Sequence, residues 1–279
     1  MKFYSPLRYP GGKRKLANFF ALVCEKNNIN GHYVEPYAGG ASVALHLLIN
    51  GYVKKITIND LDRAIYAFWY SVLNNTDKFC NEIRKTDVTL ENWRRFKKIH
   101  KNKDNESLFD LGFATFFLNR TNHSGIIDGG MIGGVEQKGN YKIDCRFEKE
   151  DLIVRIKLIV KHKDNINLHN LDALELIEKI QEDRGNKNTI FYFDPPYYLK
   201  GPSLYMNHYK HSDHKKVSKQ IQKIKNTKWI VSYDDTPEIK KLYSESKKKK
   251  YSFFHTAYEI REGREVLFSS PGLIVPKIA

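Results

Sequence analysis

The chain has 279 residues, 41% hydrophobic and 13% aromatic, enough to bury a sizeable core in one large domain or one domain with an insertion, and to exclude an intrinsically disordered chain. Lys and Arg number 47 against 32 Asp and Glu, a net charge of +15; that excess points to a polyanion, with a basic soluble protein or an anionic membrane surface left open. Cys24, Cys80 and Cys145 fit neither a disulfide framework nor a zinc pattern, and no thiol nucleophile is suggested, so a reducing compartment is expected. No apolar run approaches the ~20 residues of a membrane span. Met1 leads almost directly into a motif, leaving no room for a signal peptide; the expected location is cytoplasmic, and no metal is expected.

The first segment, Ser5 to Lys13, is a proline- and glycine-containing loop, and Leu16, Phe19, Phe20 and Val23 then recur at helical spacing. A glycine loop before a helix lets backbone N–H groups approach a ligand, with Lys13 placed to meet a carboxylate. It is not a P-loop, because G-x-x-x-x-G-K-S/T is absent; a simple N-terminal turn competes. From Tyr33 to Leu45 the pattern is a strand ending at Glu35, a tight turn of small residues at 38–41 and a helix to about Asn50. Small residues let a cofactor lie against the backbone. G-x-G-x-x-G is missing, which argues against dinucleotide binding, and a plain strand-to-helix turn is the competing account. Lys55 to Asp60 is a second strand ending in an acid, and Leu61-Asp62 opens a helix through about Leu73. An acid closing that strand is placed to accept hydrogen bonds from ribose hydroxyls; a helix N-cap role for Asp60 or Asp62 is the alternative.

Residues 76–165 differ in texture and read as an insertion carrying target recognition, between catalytic segments 1–75 and 166–279. Trp93-Arg94-Arg95-Phe96 mixes basic and aromatic residues as nucleic-acid surfaces do, although a solvated helix face has the same composition. Leu108 to Leu118 is apolar enough for a buried helix. It runs into Asn119, Arg120, Asn122 and Ser124, a polar cluster suited to DNA backbone or bases. A glycine-rich stretch from Asp128 to Tyr141, containing Lys138, suggests tight turns or a hairpin that lies close to a ligand, with a flexible loop as the alternative. Leu152 to Val160 is helical again.

The core resumes at Ile166, where a short strand delivers Leu171 and Asp172 to a loop before a helix at about 174–182. Leu171 and Asp172 suit an adenine ring, and Asp172 equally suits an N-cap. Ile190, Phe191, Tyr192 and Phe193 form a short apolar run stopped by Pro195-Pro196, which reads as a buried strand holding Asp194 at its carboxyl end, where open α/β sheets place ligand crevices. Tyr197-Tyr198 offers aromatic faces beside that carboxylate. Leu199 to Lys216 reads as a loop; His208, His211 and His214 are regularly spaced but lack the acid cluster a metal would want. Trp229 to Asp235 is a further strand with an acidic loop, residues 251–258 and 264–270 look like a closing pair, and Lys247 to Lys250 reads as a solvated charge run.

These segments fall in an order that resembles the Dam-like (D12 class) adenine-N6 DNA methyltransferases over nearly the whole chain. R-Y-P-G-G-K at 8–13 is similar to the family's N-terminal cofactor motif and E-P-Y-A-G-G-A-S-V at 35–43 to its methionine loop. N-D at 59–60 matches its ribose-binding acid, L-D-A at 171–173 its adenine position and D-P-P-Y at 194–197 its catalytic tetrapeptide. The resemblance implies an α/β, Rossmann-like sheet with a reversed last strand and an inserted, mainly helical recognition domain. It implies S-adenosyl-L-methionine held by Tyr9, Gly12, Lys13, Glu35, Pro36, Tyr37, Ala38, Gly39, Gly40, Ser42, Asp60, Leu171, Asp172 and Asp194. Asp194, Pro195, Pro196 and Tyr197 would be catalytic, double-stranded DNA the substrate, and a cognate restriction endonuclease a partner the resemblance admits. One departure matters: the hairpin that reads GATC in some members is asparagine-rich, whereas this region is G-I-I-D-G-G-M-I-G-G-V, so GATC specificity is not carried over.

The expected chemistry follows from the substrate. Adenine's exocyclic nitrogen is a poor nucleophile because its lone pair is delocalised into the ring; Asp194 and the Pro195 carbonyl would accept its two N–H bonds, with positioning and electrostatics supplying the rate. The base would leave the duplex and stack on Tyr197. Cytosine-N4 or RNA-adenine methylation, and a non-catalytic DNA-binding module, are the alternatives.

Overall fold

The computed structural model describes residues 3–8, 13–182, 188–199, 209–255 and 261–277. A 3-10 turn at Lys13–Leu16 runs into α1 (Ala17–Lys26), then β1 (His32–Glu35), α2 (Ser42–Ile49) and β2 (Lys55–Asn59). A helical stretch follows: α3 (Arg63–Asn74), α4 (Thr76–Lys85), α5 (Leu90–Lys101), α6 (Leu108–Thr121) and α7 (Lys149–Val160). The chain continues through β3 (Ile166–His169), α8 (Ala173–Glu182), β4 (Thr189–Phe193), α9 (His211–Gln222), β5 (Lys228–Asp234), α10 (Pro237–Leu242), β6 (Lys247–His255) and β7 (Arg261–Ser269). Two compact units result, one from Lys13–Leu61 with Asn165–Ala279, the other from Met1–Gly12 with Asp62–Asp164.

The first unit carries a seven-stranded sheet ordered β3-β2-β1-β4-β5-β7-β6. The run β3-β2-β1-β4-β5 is paired parallel throughout, and β7 is antiparallel to both β5 and β6. This is the expected Rossmann-like sheet with a reversed last strand. A parallel sheet covered on both faces needs strands that are apolar throughout, and β4 shows how the run Ile190 to Phe193 meets that need. Phe191 and Phe193 stack at 5.4 Å on the side where Leu176, Ile177 and Ile180 of α8 and Val217 and Ile221 of α9 are buried with them. Tyr192 points the other way and meets Phe20 of α1 at 4.4 Å, as the period of two requires.

The helical unit is organised around α6, which is buried on every side from Leu111 to Thr121. Its crossing with α3 is close: a Cβ at Gly112 would lie 2.4 Å from the Ala67 carbonyl oxygen and 2.6 Å from Ser71 Oγ, so this position tolerates only glycine. Phe68 stacks on Phe116 at 6.0 Å, with Phe79 edge-on to both. Side chains cap the starts of α3, α5 and α6: Asp62 accepts from the Ala64 N–H, Thr89 from Asn92 and Ser107 from Asp110.

Several elements differ from the sequence expectation. Helix α3, expected with the sheet as part of 1–75, belongs to the same compact unit as α4–α7. Residues His211–Gln222 form α9 rather than a loop. Its His214 is buried, bonds Tyr233 OH at 3.1 Å, and is pushed down to about 4 by desolvation, so it is neutral near pH 7; His208 lies outside the described residues. Lys247 to Lys250, expected as a solvated run or a phosphate contact, opens strand β6 and pairs with β7, with Lys248 exposed. Among the described residues no helix is long and apolar enough to cross a membrane.

Candidate active site

Strand β1 lies between β2 and β4, so the connections diverge from the β1/β4 junction, and a crevice is expected at the carboxyl ends of these strands. Four ends converge on loops that carry expected site residues. Asn59, the last residue of β2, ties three of them together: its Nδ2 donates to the Pro36 carbonyl at 2.9 Å and the Leu171 carbonyl at 3.0 Å, and its Oδ1 accepts the Leu171 N–H at 2.9 Å. Asp60 Oδ2 accepts the Gly39 N–H at 3.0 Å. Gly39 and Ala41 adopt positive φ of 46° and 48° in the turn that enters α2 at Ser42, with Gly40 between them. Asp62 is the cap of α3 and Asp60 is not. Asp172 is a helix cap, accepting the Leu174 N–H at 2.8 Å, while Leu171 is half-buried beside it.

Glu35 is buried at the end of β1, where Oε1 accepts from Tyr33 OH at 3.0 Å and the Ala44 N–H at 3.2 Å. Burial pushes it up to about 8 against the pull of those two donors, with the nearby Asp194 charge adding to the rise. It is largely protonated at neutral pH. Tyr37 OH and Tyr209 OH share a hydrogen bond of 3.0 Å. Tyr9 and Gly12, also expected here, lie outside the described residues.

Asp194 directly follows β4, and its side chain is 21% exposed. Lys13 Nζ pairs with its Oδ1 at 2.8 Å, and Ser232 Oγ donates to the same oxygen at 2.6 Å. Ser232 in turn bonds Tyr192 OH at 2.9 Å. Both hydrogen-bonding contacts fall on Oδ1; among the described residues none falls on Oδ2, nor on the Pro195 carbonyl. Tyr197 is buried at 4% exposure; its hydroxyl accepts from Lys13 Nζ at 2.8 Å and donates to Glu265 Oε1, and Lys13 Nζ lies 4.9 Å from its ring centroid. The ring expected to stack on a base is therefore enclosed, with a cation at its hydroxyl. Beyond it, Asp234 at the end of β5 accepts the Tyr198 and Leu199 N–H groups, each at 2.9 Å, fixing the exit after Pro196.

Asn59, Ser232, Asp234 and Glu265 are site residues beyond those expected from the sequence. Ser232 and Asp234 share a strand end opposite β4, a signal that was present in Trp229 to Asp235. Glu265 follows Arg261, Glu262 and Arg264 on the same strand, and nothing in that charged run distinguishes it as the buried one.

The helical unit sorts the residues expected at DNA. Arg94 and Arg95 are exposed on α5, and Lys138 is exposed and paired with Glu136 at 2.8 Å. Asn119, Arg120 and Asn122, expected at a DNA surface, are instead interior, because they form the last turn and cap of the buried α6. Asn119 bonds the Arg8 N–H and carbonyl, both at 2.7 Å, and the Gly125 carbonyl at 2.8 Å. Asn122 accepts from Trp93 Nε1 at 2.7 Å and donates to Ile126, Ile127 and Gly129 carbonyls. Arg120 donates to the Arg146 carbonyl at 2.7 Å and is lowered to about 9, first by burial and then by Arg8 and Arg155. These bonds shape a cavity of about 370 Å³ lined by Arg8, His123, Ser124, Asn140, Tyr141 and Arg146, among others. At its edge Gly125 has φ +75°, and a Cβ there would meet the Arg8 carbonyl oxygen at 1.9 Å. Burial and the neighbouring Arg146 lower Arg8, and no carboxylate among the described residues pairs with either arginine.

The chain is 26% identical to the type II methyltransferase M.MjaIII of Methanocaldococcus jannaschii over 205 residues, 68% of this chain and 68% of that protein. Among solved structures it is similar to the rRNA methyltransferase aviRa of Streptomyces viridochromogenes, with a TM-score of 0.43 and 9% identity, covering 94% of this chain and 85% of that one. The family model for the D12 class N6 adenine-specific DNA methyltransferases matches residues 9–258, from the loop before Lys13 through the Asp194 strand end to the last hairpin, and the chain belongs to that family.

Proposed function

We propose that the protein is a site-specific DNA methyltransferase that transfers a methyl group from S-adenosyl-L-methionine to the N6 amino group of an adenine turned out of duplex DNA. The observation that carries this reading is the posture of Asp194. Lys13 and Ser232 both engage Oδ1, which turns Oδ2 and the adjacent Pro195 carbonyl into a pair of acceptors for the two N–H bonds of an amino group. Accepting both bonds localises the nitrogen lone pair and favours a pyramidal nucleophile, a case of electrostatic preorganisation. The tightness of the Asp194 support limits reorganisation when the base arrives.

The residues at the strand ends suit the cofactor chemically. Asp60 offers a carboxylate for a diol, Leu171 an apolar side chain for an aromatic ring, and the turn from Ala38 to Ser42 lets a ligand approach the backbone at the start of α2. Lys13, Glu35 and Asp194 add titratable groups for its amino-acid portion. S-adenosyl-L-methionine supplies an electrophilic methyl on a sulfonium when bound. The basic composition and the arginine-lined cavity of the helical unit favour a phosphodiester partner.

The test is transfer of labelled methyl from S-adenosyl-L-methionine to unmethylated genomic DNA, with the product nucleoside identified after digestion. N6-methyladenine is the expected product. N4-methylcytosine, or transfer to RNA alone, would replace the proposed substrate.

A further inference from the structure

Glu265 is the most enclosed charged residue of the cluster. It lies on β7 opposite Asp234 of β5, and the residue is 1% exposed. Burying a carboxylate is costly unless it is paired and hydrogen-bonded. Among its partners are two residues of the site: Oε2 lies 3.6 Å from Lys13 Nζ, and Oε1 accepts the Tyr197 hydroxyl. Lys13 in turn donates to that hydroxyl at 2.8 Å and pairs with Asp194 at 2.8 Å. The ammonium is thus divided between two carboxylates, one on β7 and one following β4, with the tyrosine hydroxyl closing the ring of contacts.

We infer that Glu265 is a positioning residue for methyl transfer, holding Tyr197 and the Lys13 ammonium so that Lys13 engages only Oδ1 of Asp194. This rests on the proposed function, in which the other acceptors take the amino group. Glu265 reaches Asp194 through Lys13 and Tyr197. Anchoring the Tyr197 hydroxyl also fixes the proline pair between the two residues, and with it the heading of the Pro195 carbonyl. Without the Glu265 charge, the ammonium loses its second carboxylate and is drawn onto Asp194, in competition with the substrate.

The test uses the full chain and the variants Glu265→Gln, Tyr197→Phe and the double variant. Each is measured for kcat and KM on unmethylated duplex DNA and for S-adenosyl-L-methionine affinity. Glu265→Gln keeps the volume and an acceptor for the tyrosine while removing the charge. The expected result is a kcat about 10- to 100-fold lower, the scale of one lost charged hydrogen bond, with KM for DNA within about threefold of wild type. The double variant should be no slower than the worse single one, because both act through one link. Wild-type kcat in Glu265→Gln, equal changes in kcat and KM, or losses that multiply in the double variant would overturn the positioning role while leaving the proposed function standing. Absence of methyl transfer by the wild-type chain to any nucleic acid would overturn both.

Discussion

Ser232 donates to Asp194 Oδ1 at 2.6 Å, and the same hydroxyl bonds Tyr192 OH at 2.9 Å, so the orientation of the acid after β4 is set from the neighbouring strand β5 and steadied from within β4 itself. Asp194→Ala should lower methyl transfer by about 10²- to 10³-fold or more, the scale of losing one preorganised group, while S-adenosyl-L-methionine binding, followed by calorimetry, largely persists. Ser232→Ala should cost about 10-fold in kcat, because the carboxylate keeps Lys13 and loses only its second anchor. Full turnover in the alanine variant of Asp194 would remove it from the chemistry.

Glu35 makes stability fall with pH. Its folded value is about 8 against an ordinary 4.5, so between these limits the folded chain binds more protons than the unfolded one. Its contribution is fully present below about 4.5 and is lost as pH rises through 8. The summed loss is on the order of 5 kcal/mol. Glu35→Gln keeps an acceptor for Tyr33 and Ala44 and should flatten the curve. Urea unfolding of both forms at pH 5 and pH 8 measures the difference.

Gly112→Ala should destabilise the helical unit by about 1–3 kcal/mol, the usual cost of overpacking. The added methyl meets the Ala67 carbonyl and Ser71 Oγ at distances no side chain accepts, and the ~1 kcal/mol gain in helix propensity does not offset it. A lower unfolding midpoint by calorimetry is the expected outcome.

Arg146 and Asn119 should separate DNA contact from support. Arg146→Gln should weaken binding to random duplex DNA and reduce the slope of log K against log salt by about 1, as the loss of one phosphate contact does, with the unfolding midpoint unchanged. Asn119→Ala removes three hydrogen bonds of the Arg8 and Gly125 backbone and should lower the midpoint first. An unchanged salt slope in Arg146→Gln would place the DNA elsewhere.

Local patterns carried much of this architecture. Asp194 was legible because a strand, an acid and a proline breaker within ten residues define a strand end without knowledge of the rest of the chain, and Asp60 because an apolar strand runs directly into an acid. The apolar stretch at 108–118 was legible as a buried helix for the same reason. Asn119, Arg120 and Asn122 were misread because their polarity suggests a surface, whereas the helix that carries them is enclosed on all sides and the groups they bond come from distant loops. Asp172 shows the limit of composition: a carboxylate before a helix serves as a cap as readily as a ligand contact, and the Leu174 N–H takes it. Glu265 could be placed only once β7 was paired with β5, since Tyr197 and Lys13, which it meets, lie far from it in sequence.

That last pairing has a consequence for synthesis. Lys13 belongs to the first turn of the described helices and Glu265 to the final strand, yet Lys13 pairs with both Asp194 and Glu265. Contacts of such wide separation close late, after the intervening loops have paid their closure entropy. The helical unit and the early strands are complete long before β7 leaves the ribosome. A nascent chain can therefore bury its cores, and begin to attract nucleic acid through its basic surface, while the acid that supports transfer still lacks its final brace.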